Sequence, residues 1–110
     1  MKKMIAASAL AAGLSVSMYA QAYDWTAVGT VTSIDITSMP VTFRFSTTAI
    51  VGSCPVGTYL VWKGVGPDVE SRQANVKAVF ASVLAAKLAG VSLRLNGSNA
   101  GCLVSNIYLE

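Results

Sequence analysis

From Trp25 to Ile36 the chain is rich in Val, Thr and Ile, with Gly29 near the middle. That composition predicts a long strand with a bulge or bend at the glycine. Ser38-Met39-Pro40 breaks the run. Val41, Phe43 and Phe45 then alternate with Thr42, Arg44 and Ser46. A period of two marks a half-buried strand with its apolar side inward. Gly52 to Gly57 reads as a loop. Thr58 to Lys63 reads as a third strand, apolar on both faces through Tyr59, Leu60, Val61 and Trp62. Gly64-Val65-Gly66-Pro67 ends it.

Beyond this point the period changes. Val76, Val79, Phe80, Val83, Leu84 and Leu88 recur at spacings of three and four, which predicts one apolar helical stripe with Phe80 facing the interior. Gly90 sits where a left-handed residue would stop the helix. Asn75, or Ser71 a turn earlier, is placed to cap its start. Val91, Leu93 and Leu95 alternate with Ser92 and Arg94 as a fourth strand. Asn96 to Gly101 reads as a turn, and Cys102 to Leu109 as the closing strand.

The order of elements, β-β-β-α-β-β, predicts a mostly β domain with one helix. It matches an OB-fold-like five-stranded barrel, with a small α+β sandwich as the alternative. In the barrel the third and fifth strands run side by side and parallel. That would bring Cys54, before the third strand, close to Cys102 at the start of the fifth.

The first 22 residues follow a different rule. Lys2 and Lys3 are followed by an apolar stretch from Met4 to Val16 and by Ala20-Gln21-Ala22. This is the order of a cleaved secretory signal, with Tyr23 as the first mature residue. The apolar core is shorter than the roughly 20 residues a membrane span requires. The expected domain is therefore residues 23–110, exported, periplasmic or secreted, with no membrane span after cleavage. The chain carries 8 basic and 5 acidic residues. Lys2 and Lys3 leave with the signal, and the remainder is close to neutral. Nucleic-acid binders carry a clustered basic face, so nucleic acid is not an expected partner.

Export also decides how the cysteines read. An even count in an oxidising compartment predicts a Cys54–Cys102 disulfide. In the chain-entropy model a loop of that length stabilises by about 4 kcal/mol. Two cysteines without histidine do not make an ordinary zinc site, and a redox pair is usually spaced C-x-x-C.

The chain has no histidine, which removes Ser-His, Cys-His and most His-metal chemistry. Its five acids are scattered, and a glycosidase-like pair would have to join acids distant in sequence. Phosphate-loop and dinucleotide fingerprints are missing. The sequence thus predicts a non-catalytic protein with no catalytic residues, no cofactor and no metal site.

Candidate contacts remain. Tyr23, Trp25, Tyr59, Trp62 and Tyr108 are the aromatics available for a binding face, with core filling the preferred reading for Trp62 and Tyr59. Trp25 lies beside the mature N-terminus, where burial is harder. With Asp24 it forms a candidate surface for stacking on a sugar or another apolar ligand, and a strand-end anchor is the alternative. Arg44 and Arg94 fall on outward positions of their strands, as ligand contacts or as part of a solvated face. On the helix, Ala78, Ala81, Ala85 and Ala89 lie opposite or beside the stripe. Alanine there reflects helix propensity, or a face that another helix approaches closely.

The run Ala85-Ala86-Lys87-Leu88-Ala89-Gly90, then Val91-Ser92-Leu93-Arg94-Leu95, Cys102 and the ending Ser105-Asn106-Ile107-Tyr108-Leu109 is similar to small secreted OB-fold-like proteins of Gram-negative bacteria. The layout also resembles the B subunits of AB-type bacterial toxins, secreted OB-folds that form rings and bind glycans. The likeness lies in the order of elements over most of residues 23–110, and in residues only over the last third. It implies a binding or assembly module, with a glycan or another protein as partner. It also implies a homo-oligomer in which helices meet through Ala78, Ala81 and Ala85. No glycan-binding residue carries over, because no binding motif is shared. From another class, the alternative is a periplasmic inhibitor or structural partner that binds a protein through an exposed strand edge.

Overall fold

The structure is a computed structural model that describes residues 23–110. The expected signal segment, residues 1–22, lies outside the described residues. The elements follow the order β1 (Trp25–Gly29), β2 (Val31–Asp35), β3 (Phe43–Thr47), β4 (Leu60–Trp62), α1 (Val69–Ala89), β5 (Leu93–Ser98), a 3-10 turn (Ala100–Cys102) and β6 (Leu103–Leu109). The six strands form one sheet in the order β1-β5-β6-β4-β3-β2. All pairings are antiparallel except β4 with β6.

The two end strands of that order are consecutive in the chain, joined through Thr30. The sheet therefore curls back on itself into a half-barrel, an arrangement compatible with an OB-fold-like barrel. Its six strands correspond to the five expected because the long first strand divides at the bend: β1 pairs with β5, and β2 with β3. Gly29 sits at this bend, where a side-chain carbon would lie 2.9 Å from both the backbone nitrogen and Cβ of Ala49. Close approach of the β3 exit thus requires glycine there.

Alternation then places the core. Trp25 and Ala27 of β1, Phe43 and Phe45 of β3, Leu60 and Trp62 of β4, and Leu93 and Leu95 of β5 point inward and are buried. The rings of Phe43 and Phe45 stack at 5.7 Å. β5 runs through Asn96, Gly97 and Ser98, which the sequence assigns to a turn. A side-chain carbon at Gly97 would lie 2.1 Å from the Leu103 carbonyl oxygen. This glycine marks a tight crossing inside a ladder, with a register shift beside it.

Helix α1 begins earlier than Ser71 or Asn75. Asp68 is its N-cap, accepting the Ser71 N–H at 2.7 Å. Gly90 ends it as expected, at φ 68°, and Val91 N–H returns to the Ala86 carbonyl at 3.0 Å. The buried stripe is Val76, Val83 and Ala86, flanked by half-buried Val79 and Phe80. Phe80 meets the edge of Phe43 at 5.8 Å without being sealed off. Leu84 and Leu88 do not belong to the stripe, and Leu88 is 78% exposed. Each residue turns the helix by about 100°, so Leu84 already lies round the side from Val83, and Leu88 lies above it one turn on.

Among the described residues no helix is long and apolar enough to cross a membrane.

Candidate functional site

The parallel contact of β4 with β6 is a single register position, Val61 with Leu103. Just before those strands, Cys54 and Cys102 form a disulfide with Cα atoms 6.0 Å apart. Beyond Leu103 the two strands diverge. A cleft of about 260 Å³ opens between Trp62-Lys63-Gly64-Val65 and Leu103-Val104-Ser105. From Ser105 onward, the β4-facing edge of β6 pairs with no strand among the described residues.

A groove continues this opening along the helix. One stretch of about 230 Å³ is lined by Trp62, Val79, Ser82, Ile107 and Leu109. The next, of about 290 Å³, is lined by Ser82, Ala85, Ala86, Ala89, Val91 and Leu109. Ser82 and Leu109 belong to both stretches. Of the alanines singled out from the sequence, all are exposed, but Ala85 and Ala89 line this groove whereas Ala78 and Ala81 do not. Leu109, which is 60% exposed, was not legible as a groove residue. Nothing in the closing strand indicated that its edge would stand free.

Arg44 and Arg94 both lie on the outer face, with side chains 45% and 49% exposed. Each repeats the same small arrangement. Arg44 pairs with Asp35 across β2–β3 and lies 5.5 Å from the centre of the Tyr59 ring. Arg94 pairs with Glu110 at 3.3 Å and lies 4.7 Å from the Tyr108 ring. Such contacts are individually weak at exposed sites. Tyr59 is therefore not the core residue expected, because at the entry to β4 its ring turns out to meet Arg44. Thr37 and Arg44 together hold the Asp35 carboxyl at a pKa of about 2, with the Thr37 hydrogen bonds the larger cause. Next to the Arg94 cluster, Asn106 Nδ2 donates to Tyr23 Oη at 2.6 Å and to Asn96 Oδ1 at 2.9 Å.

Asp24 and Trp25 sit elsewhere. The Asp24 carboxylate accepts Asn99 N–H at 2.9 Å, and Asn99 Oδ1 accepts Ser53 N–H at 3.0 Å. Asp24 thus ties the start of the domain to the loops on either side of the disulfide. Trp25 is buried, 6% exposed, against the expectation that its position would resist burial. The reason is a slot made by two glycines: side-chain carbons at Gly52 and Gly97 would fall 2.6 Å and 2.7 Å from its ring. The four candidate contacts do not converge on one site.

Among the described residues no group of three or more His, Cys, Asp or Glu is placed to hold a metal ion. No protein-family model, no curated protein and no solved structure matches the chain.

Proposed function

We propose that this is an exported, non-catalytic binding or assembly module that works through the surface where α1 faces β6. The observation that carries this reading is the groove from Trp62 to Ala89, apolar along most of its length and bordered by the free edge of β6 and exposed Leu109. Strand edges and apolar grooves are the surfaces through which β proteins add partners. The disulfide supports a periplasmic or secreted location. A homo-oligomer resembling a toxin-B ring would use this surface in every subunit and present weak ligand sites together. Light scattering of the protein at about 100 µM, with and without Ala85→Glu, tests the assembly. An oligomer that the substitution disperses is the expected result. A monomer at that concentration, or an oligomer indifferent to the substitution, removes self-assembly through this surface and leaves binding of another protein.

A second reading is glycan binding on the outer face of β5–β6. Exposed Tyr23 and Tyr108 flank Arg94, Asn96 and Asn106 there, and aromatic rings beside amide groups suit sugar faces and hydroxyls. A glycan array probed with the protein and with Tyr108→Ala tests it, and loss of signal in the variant is expected.

A further inference from the structure

A cleft of about 440 Å³ lies at the start of the helix and shares Lys63 and Gly64 with the opening between β4 and β6. It is lined by Val41 and Thr42 before β3, Lys63 and Gly64 after β4, and Val69, Arg72 and Gln73 in the first turns of α1. Its floor is tight. A side-chain carbon at Gly64 would lie 2.6 Å from the Arg72 carbonyl oxygen and 2.9 Å from Val76. Gly64 has φ 86°, a value that favours glycine, so strand end and helix meet there backbone to backbone.

The charged side chains that line this cleft, Lys63 and Arg72, are both basic. Two of the basic residues of the domain, Arg44 and Arg94, are paired with acids on the outer face. Lys63 and Arg72 are in no ion pair among the described residues, and both line the cleft. Arg72 Nη1 donates to the Gly66 carbonyl at 3.3 Å, which steadies the guanidinium against the loop and leaves other donors free. The acids at this end, Asp68 and Glu70, are not among the lining residues. The Asp68 carboxylate is engaged chiefly by the Ser71 N–H, and the Arg72 charge acts on it more weakly. The positive end of the helix dipole adds to the same sign. Beside the cations stand Val41 and Val69, 60% exposed each. The volume lies in the range of small-ligand sites, which are apolar walls with a few polar groups that fix orientation.

We infer that this cleft binds a small amphiphilic anion, a carboxylate held by Lys63 and Arg72 whose short apolar body lies against Val41 and Val69. Arginine presents a planar fork that matches a carboxylate, and lysine adds a mobile point charge. The inference is independent of assembly through the α1–β6 groove, whose two stretches along the helix share no residue with this cleft.

The test is an amide chemical-shift titration of protein purified from cells expressing the full chain. The probes are hexanoate, 1-hexanol (the same body without charge) and acetate (the same charge without body). Hexanoate should shift the amides of Thr42, Lys63, Gly64, Val69 and Arg72 and saturate below about 10 mM, with hexanol and acetate at least about tenfold weaker. Lys63→Gln and Arg72→Gln should each weaken hexanoate about fivefold, Arg72→Lys less so, and Arg94→Gln not at all. Equal binding of hexanol and hexanoate would overturn the inference. So would shifts centred on Ala85, Val91 and Leu109, or no saturation by about 10 mM. Lys63 is exposed and outside the core, so Lys63→Gln remains a clean test if the Arg72 variants fold poorly.

Discussion

The Nε1–H of Trp62 donates to Asn75 Oδ1 at 3.0 Å, joining the last residue of β4 to the second turn of α1. The same oxygen accepts Val65 N–H at 3.0 Å. One side-chain oxygen therefore satisfies a buried indole and the loop that turns the chain from sheet to helix. Asn75→Ala should cost about 1–3 kcal/mol, because it leaves a buried donor without a partner. Asn75→Asp, which keeps the acceptor, should cost less. Urea unfolding measures both, and a change within about 0.5 kcal/mol for the alanine variant would mean that solvent reaches Trp62 Nε1.

Trp25 provides the opposite case. Its Nε1 is buried and has no hydrogen-bond partner among the described residues. Trp25→Phe removes a donor that is already unsatisfied, so only lost packing in the Gly52–Gly97 slot counts against it. Trp62→Phe loses a formed bond as well. The second substitution should therefore lower the unfolding midpoint more than the first, and the reverse order would show that Trp25 is held by more than packing.

The disulfide closes a separation of 48 residues. Cys54→Ala and Cys102→Ala should each lower stability by about 4 kcal/mol on the chain-entropy model, and the double variant should be no worse than either single one. Unfolding with and without reductant checks this. Reduction should destabilise the native chain and leave the variants unchanged.

Much of this architecture was legible, for identifiable reasons. Alternation at Phe43-Arg44-Phe45 and Leu93-Arg94-Leu95 placed inward and outward residues correctly, because a half-buried strand allows only one phase. The cysteine pairing follows from an even count read with the expected export, and placing strands three and five side by side agrees with it independently. Tertiary contacts hid the rest. Asn75 reads as a cap, yet serves Trp62 from inside the helix. Gly97 reads as a turn residue, yet lies in a ladder because Trp25 and Leu103 crowd its position. Of the candidate site, Arg44 and Arg94 were correctly outward, but their acid and tyrosine partners come from across the sheet. Lys63 and Arg72 gave no local signal at all, since the cleft exists only where the end of β4 meets the start of α1.

The helix allows a graded test of burial. Val83 is fully buried, Phe80 half-buried against Phe43, and Leu88 exposed. Deleting a fully buried Phe costs about 3–5 kcal/mol, so Phe80→Ala should fall below that range, near 2 kcal/mol. Val83→Ala should also be destabilising, whereas Leu88→Ala should stay within about 0.5 kcal/mol in dilute protein. A large cost at Leu88 that grows with protein concentration would place it in an interface between copies.

The acid limb of stability should be set in part by Asp35. Its carboxyl accepts Thr37 N–H at 2.9 Å and pairs with Arg44, and these contacts lower its pKa from 3.8 to about 2. A group with a depressed folded pKa contributes stability that is fully present above its unfolded value. That contribution should fade as the pH falls from about 4 towards 2, where the folded carboxyl also takes its proton. Asp35→Asn should lower the melting temperature at pH 6 and flatten its slope between pH 4 and 2. Arg44→Gln should have a smaller effect, because the Thr37 hydrogen bonds are the larger cause of the shift. Asp68 is lowered as well, chiefly by the Ser71 N–H, and contributes in the same direction. Asp68→Asn keeps a good N-cap acceptor while removing the titration, which isolates the Asp35 part. Melting temperatures followed from pH 2 to 6 in the Asp68→Asn background decide the point. If that background alone is flat between pH 4 and 2, Asp35 does not set the acid limb, and the Thr37–Asp35–Arg44 cluster is too mobile in solution to hold the carboxylate.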